Sequence, residues 1–225
     1  MAYNTNRNED SRLEKLVNDY LDKYLFNRPE TKFNTVEWVT DKERQIAGAD
    51  IILTSQELNL KDAVVDIKSA VKYSNKPLGT YALELAFIDR RGDDKEGWLT
   101  DKNKNTQYYP LLYPKSDKYY TNMKTIDDID SIEYYLVDRQ KILNYLNSKG
   151  YGREEITDTV AFMREDYDGV SKNLIRESEH YNDGFFFCLT GHLAEQPINV
   201  VIKRYVYDRL SVLHGFVNKH GNNWL

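Results

Sequence analysis

Apolar residues recur at helical spacing near the start of the chain. From Ser11 to Phe26 every third or fourth residue is apolar, which is the period of one buried helix face. Residues 11–14, Ser-Arg-Leu-Glu, match a capping box and predict that the helix begins at Ser11. The polar residues 1–10 are therefore predicted to form a disordered tail. Asn27-Arg28-Pro29 predicts the end of the helix.

Alternating and β-branched runs follow this helix and predict strands. The predicted strands are residues 35–40, 48–54, 62–70, 81–89, 184–189 and 198–204, with a further hairpin around 107–113. Residues 124–170 are predicted to form a helical insert, and Tyr205 to Lys219 a closing helix. This order predicts an α/β class, with a mixed β-sheet flanked by helices in a single domain over residues 11–225.

Composition and charge favour a soluble protein of the cytoplasm. About 30% of the 225 residues are charged and 40% are apolar. No apolar run reaches the roughly 18–20 residues that cross a membrane, and the polar N-terminus lacks the pattern of a signal peptide. The single Cys188 lies in an apolar run and cannot form an internal disulfide, which favours a reducing compartment. We therefore expect cytoplasmic localisation and no membrane partner.

Charged residues interrupt two of the predicted strands. Asp50 opens one strand, and sixteen positions later Asp66-Ile67-Lys68 lies within the next. Because side chains alternate along a strand, Asp66 and Lys68 are predicted to share one face. Charges inside such apolar runs are costly unless something satisfies them. Two converging carboxylates can hold a divalent cation and a lysine can orient water, whereas the simpler interpretation is a surface ion pair.

This pattern resembles the PD-(D/E)XK nuclease superfamily, which has a helix packed on a mixed sheet. That family carries its first acid at the start of one strand and an acid–x–Lys unit on the next. Asp50, Asp66 and Lys68 match these positions, while Ala49 replaces the proline of the motif. The resemblance covers residues 11–70 and extends over the remainder in outline. It implies a restriction-endonuclease-like core that carries the helical insert.

The resemblance also implies a chemistry. Asp50, Asp66 and the backbone carbonyl of Ile67 would bind Mg²⁺, for which Mn²⁺ could substitute, and Lys68 would position the attacking water. The reaction would be the hydrolysis of phosphodiester bonds in DNA, by a metal-dependent endonuclease. Many members of the superfamily act as dimers, so a homodimer is left open.

Three further residues have two interpretations each. Glu14 could match a glutamate that some members carry on the first helix, but a helix cap also explains it. Glu84 could be a third metal ligand or could lie at a partly exposed sheet face. Gln45 could position substrate. The four histidines have no metal-ligand spacing with one another or with Cys188.

Two other functions stay open. The chain could be a catalytically silent binding or regulatory protein on the same fold. It would then use the acidic segment 124–170, with a net charge of −5, or the basic segment 199–225, with a net charge of +3. It could also be an enzyme acting on a small molecule, although no motif specifies the substrate. The nuclease hypothesis requires that the carboxylates of Asp50 and Asp66 converge.

Overall fold

The computed structural model describes residues 2–166, 175–177 and 181–225. Residues 167–170 of the predicted helical insert and the histidine at position 180 lie outside the described residues. In chain order, the strands of the described residues are β1 Thr35–Trp38, β2 Ile51–Ser55, β3 Leu60–Val65, β4 Lys68–Ser69, β5 Thr80–Ile88, β6 Asp94–Glu96, β7 Tyr108–Lys115, β8 Ser131–Asp138, β9 Ile175–Glu177, β10 Phe185–Leu189, β11 Ile198–Lys203, β12 Ser211–Asn218 and β13 Gly221–Trp224. The α-helices are α1 Ala2–Leu21, α2 Lys42–Ile46, α3 Arg139–Ser148, α4 Arg153–Asp166 and α5 Arg204–Leu210.

The chain divides into two compact units. The first is made of Met1–Leu78, Thr106–Asp138 and Ser211–Leu225, and the second of Gly79–Asn105 and Arg139–Leu210. The first unit contains a mixed, strongly curled sheet, and the second an antiparallel sheet. The α/β class with a mixed sheet is thus confirmed. That residues 11–225 act as a single domain stays a prediction.

In the first unit, the sheet has the strand order β1-β2-β3-β7-β8-β12-β13, and β4 also pairs with β7. Neighbouring strands are antiparallel except that β3 and β4 run parallel to β7. The predicted strands near the start of the chain are therefore present. The predicted third strand is broken, because β3 ends at Val65 and β4 begins at Lys68.

Helix α1 supplies the apolar face that covers this sheet. It begins at Ala2, so the predicted start at Ser11 is wrong and residues 2–10 are helical rather than a tail. A π-helical turn, Asp22–Phe26, continues it. The predicted apolar stripe is buried, together with alternate strand residues, in one core: Leu13, Leu16, Val17, Tyr20, Leu21 and Leu25 from the helix, and Ile51, Leu53, Ala63, Val65, Leu112, Tyr134 and Leu136 from the sheet.

Tyr20 ties α1 to the far end of the chain. It is fully buried, and its hydroxyl donates to the carbonyl of Asp130 at 3.3 Å and to that of Val217 at 3.4 Å. Buried tyrosines commonly pair their hydroxyl in this way, because an unpaired polar group in the core is costly. The core of the first unit is therefore closed by segments from both ends of the described chain.

The second unit has the sheet order β6-β5-β11-β10-β9 and contains α3, α4 and α5. The strands predicted over residues 81–89, 184–189 and 198–204 are confirmed as β5, β10 and β11. Cys188 is buried in β10.

Two predicted helical segments are partly wrong. In the insert predicted over 124–170, Ile126–Asp128 is a single 3₁₀ turn, residues 131–138 form β8, which pairs with β7 and β12, and α-helices begin at Arg139. The closing helix ends as α5 at Leu210, and residues 211–218 form β12 instead. The predicted closing helix is therefore present only over Arg204–Leu210. Aromatic and β-branched residues favour strands in both segments; burial alternates along β12, whereas the central residues of β8 are all buried.

Gly215 shows how closely the last two strands approach. A Cβ atom at this position would lie 2.3 Å from the carbonyl oxygen of Asn223 on β13. Only glycine allows this approach. In the described residues, no helix combines the length and apolar character needed to cross a membrane.

If α1 holds the curled sheet together, replacing Leu21 by alanine should strongly destabilise the protein. Leu21 is fully buried, so Leu21→Ala should lower the free energy of unfolding by about 2–5 kcal/mol. Lys15→Ala is the matched control on the same helix, because it removes only an exposed ion pair with Asp19 and should cost about 0.5 kcal/mol. Urea denaturation followed by circular dichroism measures both. Equal effects of the two changes would contradict the packing role of α1.

Candidate active site

Asp50 is held by its backbone immediately before β2. Its N–H donates to the carbonyl of Val65 at 2.8 Å, and its carbonyl accepts from the N–H of Val39 at 2.9 Å. The preceding turn needs Gly48, whose φ of 86° lies in the left-handed region. Asp50 is thus fixed between β3 and the segment that follows β1.

Asp66 lies at the break between β3 and β4. Its N–H donates to the carbonyl of Tyr108 on β7 at 3.2 Å. At this point the chain hydrogen-bonds to its parallel partner β7 rather than to β2. Lys68 opens β4, and its Nζ lies 2.8 Å from Oδ1 of Asp66. The predicted meeting of Asp66 and Lys68 on one face is confirmed.

The carboxyl groups of Asp50 and Asp66 converge. Asp66 lies close enough to Asp50 for its negative charge to raise the pKa of the Asp50 carboxyl. Oδ2 of Asp50 also accepts from the backbone N–H of Ile67 at 2.7 Å. The two carboxyls are therefore neighbours, and their joint binding of a metal ion stays a prediction.

Burial and repulsion raise the pKa of Asp50 to about 6. Burial has the larger effect and the negative charge of Asp66 the next, while the Ile67 hydrogen bond and the positive charge of Lys68 act in the opposite direction. The site therefore holds more negative charge than its own cation compensates. Such a site gains stability when it binds a proton or a metal cation.

Glu14 on α1 lies within electrostatic reach of the same groups. Partial burial raises the pKa of Glu14, Asp66 raises it further, and the charges of Lys68 and Lys72 lower it. Because α1 begins at Ala2, the predicted capping role of Glu14 is wrong. The helix thus brings a third carboxylate toward the pair formed by Asp66 and Lys68.

The other predicted residues have different positions. The side-chain amide of Gln45 donates to the carbonyl of Val39 at 2.8 Å and so supports the loop that carries Asp50. Glu84 lies half-buried on β5 of the second unit, and its role as a third ligand stays a prediction. The carbonyl of Ile67 also stays a predicted ligand, while its N–H binds Asp50.

Two residues near the site were missed from the sequence. Lys72 Nζ lies 2.6 Å from Oδ1 of Asp10, and both charges act on Glu14. The spacing of Lys72 four residues after Lys68 was an available signal. Asp10 was missed because residues 1–10 were predicted to be a tail.

The donor set fits a hard divalent cation of the Mg²⁺ type. Within residues 2–166, 175–177 and 181–225, no three His, Cys, Asp or Glu side chains form a group that could hold an ion. In the predicted site, Asp50 and Asp66 would supply two carboxylates, and the other ligands would be the Ile67 carbonyl, water and substrate oxygens. Mg²⁺ is commonly held in this way, by one or two carboxylates together with waters and phosphate oxygens.

A search of protein-family models, curated proteins and solved structures found no significant match to this chain. The function is therefore inferred from the residues and geometry of the site. The features that carry it are the convergence of Asp50 and Asp66 and the position of Lys68.

Removing the charge of Asp50 should stabilise the metal-free protein near neutral pH. Because folding raises the pKa of Asp50, its stabilising contribution is fully present below the ordinary value of 3.8 and is lost as pH rises through about 6. Asp50→Asn should therefore increase the free energy of unfolding at pH 7 on the order of 1–3 kcal/mol relative to the wild type. The gain should largely disappear at pH 4.

Urea titrations between these pH values, with a chelator present, measure this gain. Asp19→Asn, an exposed change on α1, controls for the lost charge. Asp50→Asn that destabilises the protein equally at both pH values would contradict carboxylate repulsion at this site.

Proposed function

We propose that this protein is a Mg²⁺-dependent deoxyribonuclease that hydrolyses phosphodiester bonds in DNA. The observation that carries the proposal is the convergence of Asp50 and Asp66, with Lys68 2.8 Å from Asp66. The packing of α1 on a mixed sheet, with the acids at the start of β2 and just beyond β3, supports a restriction-endonuclease-like core in the first unit.

Each residue has a distinct role in this mechanism. Asp50 and Asp66, when ionised, would hold the metal with the carbonyl of Ile67. When bound, Mg²⁺ lowers the pKa of a coordinated water and neutralises charge on the scissile phosphate. The N–H of Ile67 fixes the orientation of the Asp50 carboxylate.

Lys68 would act on the attacking water or on the phosphoryl oxygen that gains charge. An ammonium can donate three hydrogen bonds, so Asp66 can fix its position while it contacts a substrate oxygen. Its side chain is 25% exposed, which leaves it reachable from solvent. A positioned cation in a partly buried site stabilises developing negative charge more strongly than one in bulk water.

The second candidate is a catalytically silent binding or regulatory protein. It is favoured by one observation, because the carboxylates already have partners within the protein. Asp50 accepts from Ile67 and Asp66 pairs with Lys68. This network would then serve only to stabilise the break between β3 and β4. Measurements of cleavage and of metal binding separate the two candidates.

If Asp66 and Lys68 are catalytic, their replacement should abolish cleavage without unfolding the protein. Asp66→Asn and Lys68→Ala should each lower kcat by at least about 100-fold, because each removes a group that acts on the metal, the water or the transition state. The measurement is Mg²⁺- or Mn²⁺-dependent cleavage of labelled single- and double-stranded DNA, with thermal midpoints recorded alongside.

Asp62→Asn is the matched control on β3. Asp62 is exposed and has a φ of 47°, a conformation that asparagine also tolerates. The Asp62→Asn protein should cleave DNA at the wild-type rate. A wild-type protein that is inert on both forms of DNA with both metals would reject the proposed nuclease activity.

The rate of cleavage should fall on the acidic side of about pH 6. Asp50 must lose its proton before it binds a cation, and its pKa is raised to about 6. The measurement is kcat/KM across the range around this value. Raising the Mg²⁺ concentration should move the acidic limb to lower pH, since metal and proton compete. A limb that does not respond to Mg²⁺ would count against Asp50 as a ligand.

A further inference from the structure

A compact basic turn follows Lys68 in the first unit. Backbone N–H groups close consecutive turns, from Tyr73 to Ala70 at 2.9 Å, from Ser74 to Val71 at 3.1 Å and from Lys76 to Tyr73 at 2.9 Å. Lysines stand at positions 68, 72 and 76, and residues 67–76 contain no acidic residue. We name residues 70–76 the lysine–tyrosine turn.

Buried residues and hydrogen bonds hold this turn on the first unit. Val71 and Ser74 are buried, with 6% and 5% of their surface exposed. The carbonyl of Ser74 accepts from the N–H of Ser116 at 3.1 Å. The hydroxyl of Ser74 donates to Sδ of Met123 at 3.6 Å. The N–H of Ala70 donates to the carbonyl of Leu112 on β7 at 2.9 Å. The side chains that the turn presents outward are therefore held on a fixed backbone.

Two aromatic rings are exposed here. Tyr73 is 53% exposed, and Tyr119 is 60% exposed beside the 3₁₀ turn Tyr120–Asn122. That turn packs against the 3₁₀ turn Val71–Tyr73. Single exposed apolar residues are common, but here two exposed rings lie near lysines, Tyr73 next to Lys72 and Tyr119 next to Lys118. Exposed rings beside cations can bind single-stranded nucleic acids.

Lys72 connects the lysine–tyrosine turn to the candidate site. Its charge lowers the pKa of Glu14, the same carboxyl on which Asp66 and Lys68 act. Its ion pair with Asp10 joins two side chains that are 47% and 42% exposed. An ion pair this exposed contributes little, so a phosphate can replace the carboxylate of Asp10 at small cost.

We propose that the lysine–tyrosine turn binds a single-stranded segment of DNA beside the carboxylate pair. Lys72 and Lys76 contact phosphates, and Tyr73 stacks on an unpaired base. The lysines alone would suit duplex and single strand equally, whereas a stacked ring requires a base that is not in a duplex. The preferred substrate is then single-stranded DNA or a frayed end. That the strand is DNA rests on the proposed nuclease function.

Binding can be measured separately from cleavage. The Asp66→Asn protein is titrated with a fluorescein-labelled oligothymidylate of about 12 nucleotides, and with its duplex, by fluorescence anisotropy. Single strand should bind more tightly than duplex. Adding Tyr73→Ala should weaken binding of the single strand by about 5- to 100-fold, while Tyr73→Phe should retain it because stacking needs only the ring.

Two further variants distinguish strand binding from a structural effect. Lys76→Gln should reduce the slope of log affinity against log salt by about 0.7, the value for one lost contact with a single strand. Tyr205→Ala removes another exposed tyrosine, 45% exposed on α5 of the second unit, and should leave binding unchanged. Thermal midpoints of all variants show whether the fold is retained.

The outcomes separate this proposal from the proposed function. Duplex that binds as tightly as single strand, or Tyr73→Ala that binds like its parent, overturns the strand-binding role. Binding as expected with a wild type that does not cleave rejects the nuclease activity and leaves the strand-binding surface standing. Cleavage by the wild type, with an unchanged KM in the Tyr73→Ala variant, supports the nuclease activity and rejects the strand-binding role.

Discussion

The hydrogen bond from the backbone N–H of Ile67 to the carboxylate of Asp50 organises the first unit's charged site. It arises because β3 and β4 are interrupted at Asp66 and Ile67, which frees this N–H from the ladder of β-sheet hydrogen bonds. The Asp50 carboxylate is thereby fixed to the backbone next to Asp66. The ion pair with Lys68 offsets part of the repulsion, while burial and the remaining repulsion together raise the pKa of Asp50.

The apolar face of α1 supports this arrangement from the other side. Its buried stripe packs on the strands that carry the acids, so the helix has one rotation about its axis that covers the core. That rotation brings Glu14 toward Lys68 and Asp66. The position of a third carboxylate is thus a consequence of hydrophobic packing elsewhere on the same helix.

The sequence predicted the parts of the fold that depend on local patterns. Alternation predicted that Asp66 and Lys68 meet, which they do although the strand is broken between them, and helical spacing identified the buried stripe of α1. It failed where distant pairing decides, since β8 and β12 are strands only because they pair with each other and with β7 or β13. The break at Asp66 and the electrostatic effect of this site on Glu14 also depend on tertiary structure, which periodicity does not encode.

The bond between the Tyr20 hydroxyl and the Val217 carbonyl spans 197 positions of the chain. During synthesis, α1 precedes all the strands of its sheet, and β12 follows the other strands that bury residues against it. The part of the apolar helix face that contacts β12 therefore stays uncovered until β12 is made. Folding of this unit is accordingly late and dominated by contacts of high sequence separation, which slows it relative to a helical protein of equal size.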